Sequence, residues 1–336
     1  MITQASELNQ KVKDFIKENG EFYQYQSYLT YEAQGMGGLA VYYVSQKKNE
    51  LFVIALIERE IGNKSLKDLI SPYGYSGYLS SSNNLSFIQD SINEFCAFID
   101  ESGYVSTFLR LNPFYNDIIL EETIYKTHLI QSKVVGVPLN LSYEEINSKY
   151  SSNRKREIQL LKGQNFKISF NGIDGIDDFK EVYDDTMKRL DAKEYYFFDK
   201  EYYQMLASCD DKMEIAVCRK NGVVACAALF MKSKDVIQYH LGGTAHSFMK
   251  DAPIKLVLDR AVERYIGKSK VLNLGGGVGS QEDSLLKFKS GFSPVTRRFS
   301  SLRVINNLKS YNNLCSNFSK SEKKDLTNFF PLYRSN

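Results

Sequence analysis

Apolar positions along this chain recur with two periods, one of about 3.6 residues and one of 2, and their succession predicts a mixed α/β protein. An amphipathic helix is expected over Ser6–Glu18, stopped by Gly20. Strand-like segments follow at Phe22–Tyr31, Leu39–Ser45 and Leu51–Arg59, the last two forming a hairpin around Gln46–Asn49. Ser71–Ser80 reads as loop and strand. Phe87, Ile88, Ile92, Phe95, Phe98 and Ile99 have helical spacing within Leu85–Ser102, and Gly103 ends that helix. A strand at Val105–Leu111, a short helix and a strand at Ile130–Leu141 complete a first set.

The polar helical stretch Ser142–Gly163 then bridges to a second set. It contains a strand at Phe166–Phe170, helices at Ile176–Leu190 and Asp199–Ser208, and a hairpin of Met213–Arg219 with Val223–Lys232. A strand at Val236–Gly242 precedes a helix that Pro253 opens and Gly267 closes. Then come the strand, turn and helix of Leu272–Pro294, a last strand at Arg297–Ile305, and a polar helical tail. The two sets share an order of hairpin, strand, long helix, strand. YSGYL at Tyr75–Leu79 stands where YHLGG stands at Tyr239–Gly243, and LRLNPF at Leu109–Phe114 where LNLGGG stands at Leu272–Gly277. The expectation is a duplicated α/β (α+β) unit with domains at 1–145 and 146–336, each a mixed, mostly antiparallel sheet flanked by helices.

Composition changes this picture little. At 336 residues with 43% hydrophobic and 25% charged residues, the chain is long enough for two cores. A formal charge of +3 points to no nucleic-acid coat and no polybasic membrane patch. No apolar run reaches the roughly 18 residues of a membrane helix, and the first residues lack a signal peptide's apolar core. The five cysteines make no CxxC pair, so a reduced, cytoplasmic protein is expected, as a monomer or dimer. Three histidines make a histidine-rich metal site improbable, and no metal is expected.

Leu272–Pro294, LNLGGGVGSQEDSLLKFKSGFSP, concentrates the candidate chemistry. An apolar strand enters a glycine cluster, and Ser280 with Asp283 three residues on has the pattern of a capping box. Backbone N–H groups and lysines gathered at a helix start suit an anion. The turn imitates an adenosylmethionine-dependent methyltransferase, but in that fold most of the sheet follows the motif, and here the chain is nearly over. The Gly-Lys-Ser/Thr of a phosphate loop is absent. The plain alternative is that the glycines serve left-handed geometry and tight strand–helix packing.

PYGYSG (Pro72–Gly77), RLNPF (Arg110–Phe114), NRKREI (Asn153–Ile158), TMKRLDAKEYYF (Thr186–Phe197), YHLGGT (Tyr239–Thr244), APIKLVLDRAVE (Ala252–Glu263) and Leu272–Pro294 occur in an order that resembles the FemAB-like branch of the GNAT acyltransferase superfamily, built from two tandem GNAT-like domains. The resemblance implies that Val236–Gly242 splays from its neighbour, that the pantetheine of an acyl-CoA lies in the gap, and that Thr244–Ala252 presents N–H groups to the pyrophosphate. Leu241, Gly242, Gly243 and Lys250 are then the residues facing CoA, with the Leu241 or Gly242 N–H as oxyanion donor. The usual glycine-rich signature of that loop is missing from AHSFMKDAP, which leaves the first domain open as the donor's seat. The absence of the long coiled-coil insertion argues against an aminoacyl-tRNA donor.

The implied reaction is N-acylation, by acetyl or a short hydroxyacyl such as 3-hydroxybutyryl, of a dTDP- or UDP-linked amino-deoxy sugar for O-antigen (lipopolysaccharide) or capsule. His240, Asp283 and Glu282 are candidate bases; the plainer roles are a strand histidine facing away from the cleft and, for Asp283, helix capping. Arg189, Lys289, Arg154 and Arg156 are candidate phosphate partners. The run from Arg154 to Arg156 reads first as a solvated helix face. By resemblance Lys289 and Tyr239 face the acceptor, while Tyr73, Tyr75, Tyr195 and Tyr196 could stack on its base or bond its hydroxyls. The rivals are an aminoacyl-tRNA-dependent transferase acting on a peptidoglycan precursor, and a nucleotide-sugar binding protein without catalysis.

Overall fold

A computed structural model of the chain describes residues 2–62, 64–115, 126–277, 283–325 and 329–335. In chain order the elements begin β1 (Ile2–Ala5), α1 (Gln10–Asn19), α2 (Gln26–Gly35), β2 (Gly38–Lys47), β3 (Glu50–Ile61), β4 (Lys64–Ile70), β5 (Tyr78–Ser80), α3 (Leu85–Glu101) and β6 (Ser106–Arg110). They continue with β7 (Lys126–Pro138), α4 (Tyr143–Ser148), α5 (Ser152–Lys162), β8 (Lys167–Asn171), α6 (Ile176–Arg189), α7 (Lys200–Ala207), β9 (Met213–Lys220), β10 (Val223–Lys232) and β11 (Val236–Thr244). Last come α8 (Ile254–Tyr265), β12 (Val271–Gly275), α9 (Ser284–Ser290), β13 (Thr296–Ile305), α10 (Leu308–Leu314) and α11 (Lys320–Lys324).

One expected strand is a helix. The aromatic run Phe22–Tyr31 has strand composition, yet it forms a 3-10 turn (Phe22–Gln24) and enters α2. Tyr28, Leu29, Glu32 and Ala33 are the buried residues of α2, a helical stripe, so packing overrides the β propensity of the tyrosines. Strand β4 has no counterpart among the sequence-derived elements. The short helix expected before Ile130 falls largely outside the described residues, as does the Ser280 capping position. Asp283 itself caps α9, its side chain accepting from the Leu286 N–H at 2.9 Å.

Contacts divide the chain into two compact units, residues 1–131 with 298–336, and residues 132–297. The sequence-drawn boundary at 145 and 146 instead leaves the C-terminal tail in the second domain. In the first unit the Leu51–Ile57 run of β3 is apolar throughout because both of its faces are covered. Phe52, Ile54 and Leu56 join Phe87, Ile92 and Phe95 of α3, and Val53, Ala55 and Ile57 join Val12, Phe15 and Leu29 of α1 and α2. In the second unit Ala228 and Phe230 of β10 join Val257, Leu258 and Ala261 of α8. Helix α6 lies against β10 and β11.

The two units repeat one topology. The first runs β2–β3–β4–β6–β13, with the β4–β6 pair parallel and the rest antiparallel. The second runs β9–β10–β11–β12–β7, again with one parallel pair, β11–β12. Duplication is therefore visible in strand order and direction, where residue identity shows little of it. No helix among the described residues is long and apolar enough to cross a membrane.

The tail is fastened within the first unit by a buried carboxylate. Asp68, with 0% of its surface exposed, accepts from Arg59 Nε at 2.9 Å, Arg334 Nε at 2.7 Å and the Tyr333 hydroxyl at 2.9 Å. Asp68→Ala would leave two guanidinium groups without their shared anion, so we expect a loss of about 3–5 kcal/mol in urea unfolding. A loss below about 0.5 kcal/mol, the range of an ordinary surface change, would show that this cluster contributes little.

Candidate active site

Each unit contains a point where two parallel strands part, and the two points differ. In the first unit β4 pairs with β6 only at Leu69–Thr107 and Ile70–Phe108. The chain then leaves as the loop 71–77 and returns as β5 on β3. That loop is bonded to β6 and its extension throughout. Ser71 N donates to Phe108 O at 2.8 Å, Gly77 N to Arg110 O at 2.8 Å, and Asn112 Nδ2 to Tyr75 O at 3.2 Å. Arg110 Nη1 donates to Ser71 O at 3.2 Å. Gly74 has φ +107°, and a Cβ there would lie 2.2 Å from the Tyr23 ring. Only glycine fits this turn.

In the second unit β11 pairs with β12 at Val236–Val271, Ile237–Leu272 and Gln238–Asn273. Beyond that register β11 continues to Thr244 and β12 to Gly275, and no further pairing joins them among the described residues. Opposite β10 the register shifts, Leu229 facing Leu241 and Phe230 facing Tyr239, so His240 is the extra residue of a bulge. The strands form a fork, as the resemblance implies for a GNAT-like unit.

Two residues at the fork were not singled out by sequence reasoning. Gln238 and Asn273 are 5% and 1% exposed, and Asn273 Nδ2 donates to Gln238 Oε1 at 2.7 Å. Gln238 Nε2 donates to Tyr239 O at 2.9 Å, and Asn273 Oδ1 accepts from Gly275 N at 2.8 Å. The signal available in sequence was a polar residue near the middle of each of two apolar strands, VIQYH and VLNLG.

The expected site residues group around this fork, with exceptions. Tyr239 packs on Phe230, with ring centroids 5.8 Å apart. Its hydroxyl lies where a Cβ on Gly242 would be, at 2.1 Å, so glycine at 242 makes room for the phenol. Burial raises the Tyr239 pKa well beyond its usual value. His240 Nε2 meets the Tyr202 hydroxyl of α7 at 2.7 Å, and burial lowers its pKa to about 4. Gly243 has a packing role: a Cβ would lie 2.4 Å from Val182 O of α6.

Arg189 donates to Asp185 at 2.9 Å and to Thr244 O at 3.1 Å, so it ties α6 to the end of β11. The N–H groups of the segment after β11 are largely taken within the protein: His246 N donates to Asp185 of α6 at 2.9 Å, Phe248 N to Ala245 O at 2.9 Å, and Ala252 N to Phe248 O at 3.0 Å. Lys250 is exposed there. Leu241 lies on β11 opposite Leu229. Tyr196 is half-buried in the 3-10 turn before α7, and the Tyr195 side chain is outside the description. Tyr73 and Tyr75 belong to the loop 71–77 of the first unit, where Tyr73 N donates to Glu32 at 3.1 Å and Tyr75 meets Phe299 edge-on. Burial raises the Glu32 pKa, against the Tyr73 N–H and Arg110.

The glycine turn has backbone reasons. Gly275 has φ +78°, and a Cβ on Gly276 would lie 2.8 Å from Lys133 O. Gly279 and Glu282 lie outside the described residues. Lys289, 8% exposed, donates from Nζ to Gly276 O at 2.7 Å. Burial lowers its pKa to about 8, with Asp283 opposing. Arg154 corrects an expectation. It is no solvated face but 5% exposed, stacked 4.6 Å from Phe288 and 4.3 Å from Phe292, with Nη2 donating to Phe288 O at 2.7 Å. A guanidinium, weakly hydrated and planar, packs between rings. Arg156 stays exposed.

A cavity of about 590 Å³ lies between Phe166, Ile168 and Phe170 on β8 and just before it, and Leu256, Arg260 and Arg264 of α8. It shares no lining residue with the fork. Its arginines are ion-paired, Arg260 with Glu263 and Arg264 with Glu214, which leaves them weak anion hosts.

The duplicated topology and the fork define a tandem GNAT-like fold. Among solved structures the chain is similar to FemX, with TM-score 0.66, 11% identity, and coverage of 93% of this chain and 99% of that one. It is also similar to a conserved protein of unknown function from Bacteroides thetaiotaomicron, at TM-score 0.57 and 11% identity over 91% and 100% of the two chains. L-PGS from Bacillus licheniformis gives TM-score 0.55 and 16% identity over 92% and 96%. No protein-family model matches the sequence, and no curated protein matches it. At these identities the likeness is one of fold.

The imidazole yields a pH prediction. Folded His240 titrates near 4 and an unfolded histidine near 6.5, so between these values the unfolded chain binds more protons. Its contribution to stability is therefore complete above pH 6.5 and is lost as pH falls toward 4. His240→Gln should flatten the decline in unfolding free energy over that window. An unchanged slope would mean that the imidazole titrates normally in the fold.

Proposed function

We propose that the chain is an acyltransferase that moves an acyl group from a thioester to an amine, with the donor's extended arm in the fork of the second unit. The contrast between the two forks carries this reading. The first is bonded shut by its own loop, whereas among the described residues the second leaves main chain on β11 beyond Gln238 without a β12 partner. An extended, amide-bearing arm suits such a gap, because it pairs as an added strand does.

In the finer reading the donor is acyl-CoA, carrying acetyl or a short hydroxyacyl group, and the acceptor is a dTDP- or UDP-linked amino sugar. The amine nitrogen forms a bond to the thioester carbonyl, the C–S bond breaks, and the thiolate leaves and takes up a proton. An imidazole that titrates near 4 is a weak base for an amine, so His240 is better suited to hold the bulge than to carry the proton. Tyr239 keeps its proton and lies just beyond the fork, where a donor to the leaving sulfur is needed. With a reactive thioester, orientation supplies much of the rate.

The second reading is aminoacyl transfer from charged tRNA, favoured by the similarity to FemX and L-PGS. Thiol release from acetyl-CoA and 3-hydroxybutyryl-CoA, assayed against a panel of nucleotide-linked amino sugars, separates the two. Release dependent on one acceptor is expected. Silence across the panel with turnover of charged tRNA would replace the first reading by the second, and binding without turnover would leave a non-catalytic protein. Lys289→Met should raise the acceptor KM about tenfold, or about 1.4 kcal/mol, at near-constant kcat. An unchanged KM would take Lys289 out of acceptor binding.

A further inference from the structure

A fork inside a sheet poses a problem of unpaired backbone. Where two strands part away from water, the next carbonyl and amide groups on each lose their partners, at about 1–3 kcal/mol for each unsatisfied group. Among the groups next to the fork, Tyr239 O and Gly275 N are each bonded by a side-chain amide rather than by the opposite strand. The two amides are also bonded to each other. Gln238 and Asn273 are the last paired register, and the β12–β7 register shifts between Asn273 and Gly275. The amide pair thus stands at the position where pairing stops.

We infer that Gln238 and Asn273 act together as a wedge that keeps β11 and β12 apart, and so are positioning residues for the acyl donor. The second clause rests on the reading of the fork as the donor's site. The pair substitutes for the main-chain bonds that would otherwise zip the strands onward through Tyr239–Leu274. Because both side chains are buried and bonded, the end of the cleft is fixed in depth. A donor arm entering from the open side stops at the amides.

The test has one arm independent of activity. In the double variant Gln238→Leu with Asn273→Val the side-chain partners are gone and both replacements suit a strand interior. We expect the strands to zip, slowing hydrogen exchange of the Gly242 and Gly275 amides at least tenfold at pH 7. Exchange that is equal or faster in the folded variant would overturn the wedge. Gln238→Glu, nearly isosteric, keeps an acceptor for Asn273 but removes the donor to Tyr239 O, and serves if the double variant does not fold. For it we expect CoA affinity, measured by calorimetry, to fall at least fivefold, and the acyl-CoA KM to rise in step while kcat at saturation changes less than threefold. Unaltered CoA affinity and KM in a folded Gln238→Glu protein would overturn the positioning role. A wild-type protein that binds no CoA would instead remove the donor reading, and the exchange measurement would still decide the wedge.

Discussion

Backbone hydrogen bonding inside a sheet is the constraint on which the rest of this structure depends. Buried N–H and C=O groups need partners, yet a site built between strands requires the strands to part. The protein meets this in two ways within one repeated topology. The first unit fills its gap with the loop 71–77, which returns bonds to Phe108 and Arg110 of β6. The second satisfies the exposed groups with the side chains of Gln238 and Asn273 and leaves the gap. A loop occupies space and two amides occupy little. The first unit thus closes its strand gap with chain, and the second caps its gap with side chains alone.

The glycines follow from the same constraint. Gly275 turns β12 away with a positive φ, and Gly276 lets Lys133 O of β7 approach. Gly242 gives place to the Tyr239 phenol, and Gly243 to the main chain of α6. The cluster that looks in sequence like a phosphate cradle thus has a backbone reason at Gly275 and a close-packing reason at Gly276. Lys289 then bonds a carbonyl of the turn, Gly276 O, so its charge meets backbone already placed by the glycines.

Much of the architecture was legible from periodicity, because both hairpins, α3, α6 and α8 have one-sided or alternating apolar patterns. Phe22–Tyr31 was not, because tyrosine favours strands by propensity while a helix buries Tyr28, Leu29, Glu32 and Ala33 on one face. Arg154 was misread for a related reason: a basic run on a helix says nothing of two phenylalanines brought to it from α9 and the residue beyond its end. The grouping of His240, Tyr239 and Gly242 around one strand was readable from YHLGG, since they are near neighbours in sequence. The Gln238–Asn273 pair joins strands far apart in the chain, and the strand register that aligns them is a tertiary fact.

Electrostatics at the fork runs toward neutrality. Burial holds His240 uncharged above about pH 4, brings Lys289 down to about 8, and keeps the Tyr239 proton on. Each shift has the sign that desolvation gives to its group. At pH 7 His240 and Tyr239 are neutral while Lys289 still carries most of its charge, so burial weakens the one cation of the three without removing it. An ammonium entering such a surrounding is disfavoured by the same desolvation that lowers Lys289. On the proposed acyl-transfer reading, the desolvation that lowers Lys289 would act on an acceptor amine beside it in the same direction, favouring the unprotonated nucleophile.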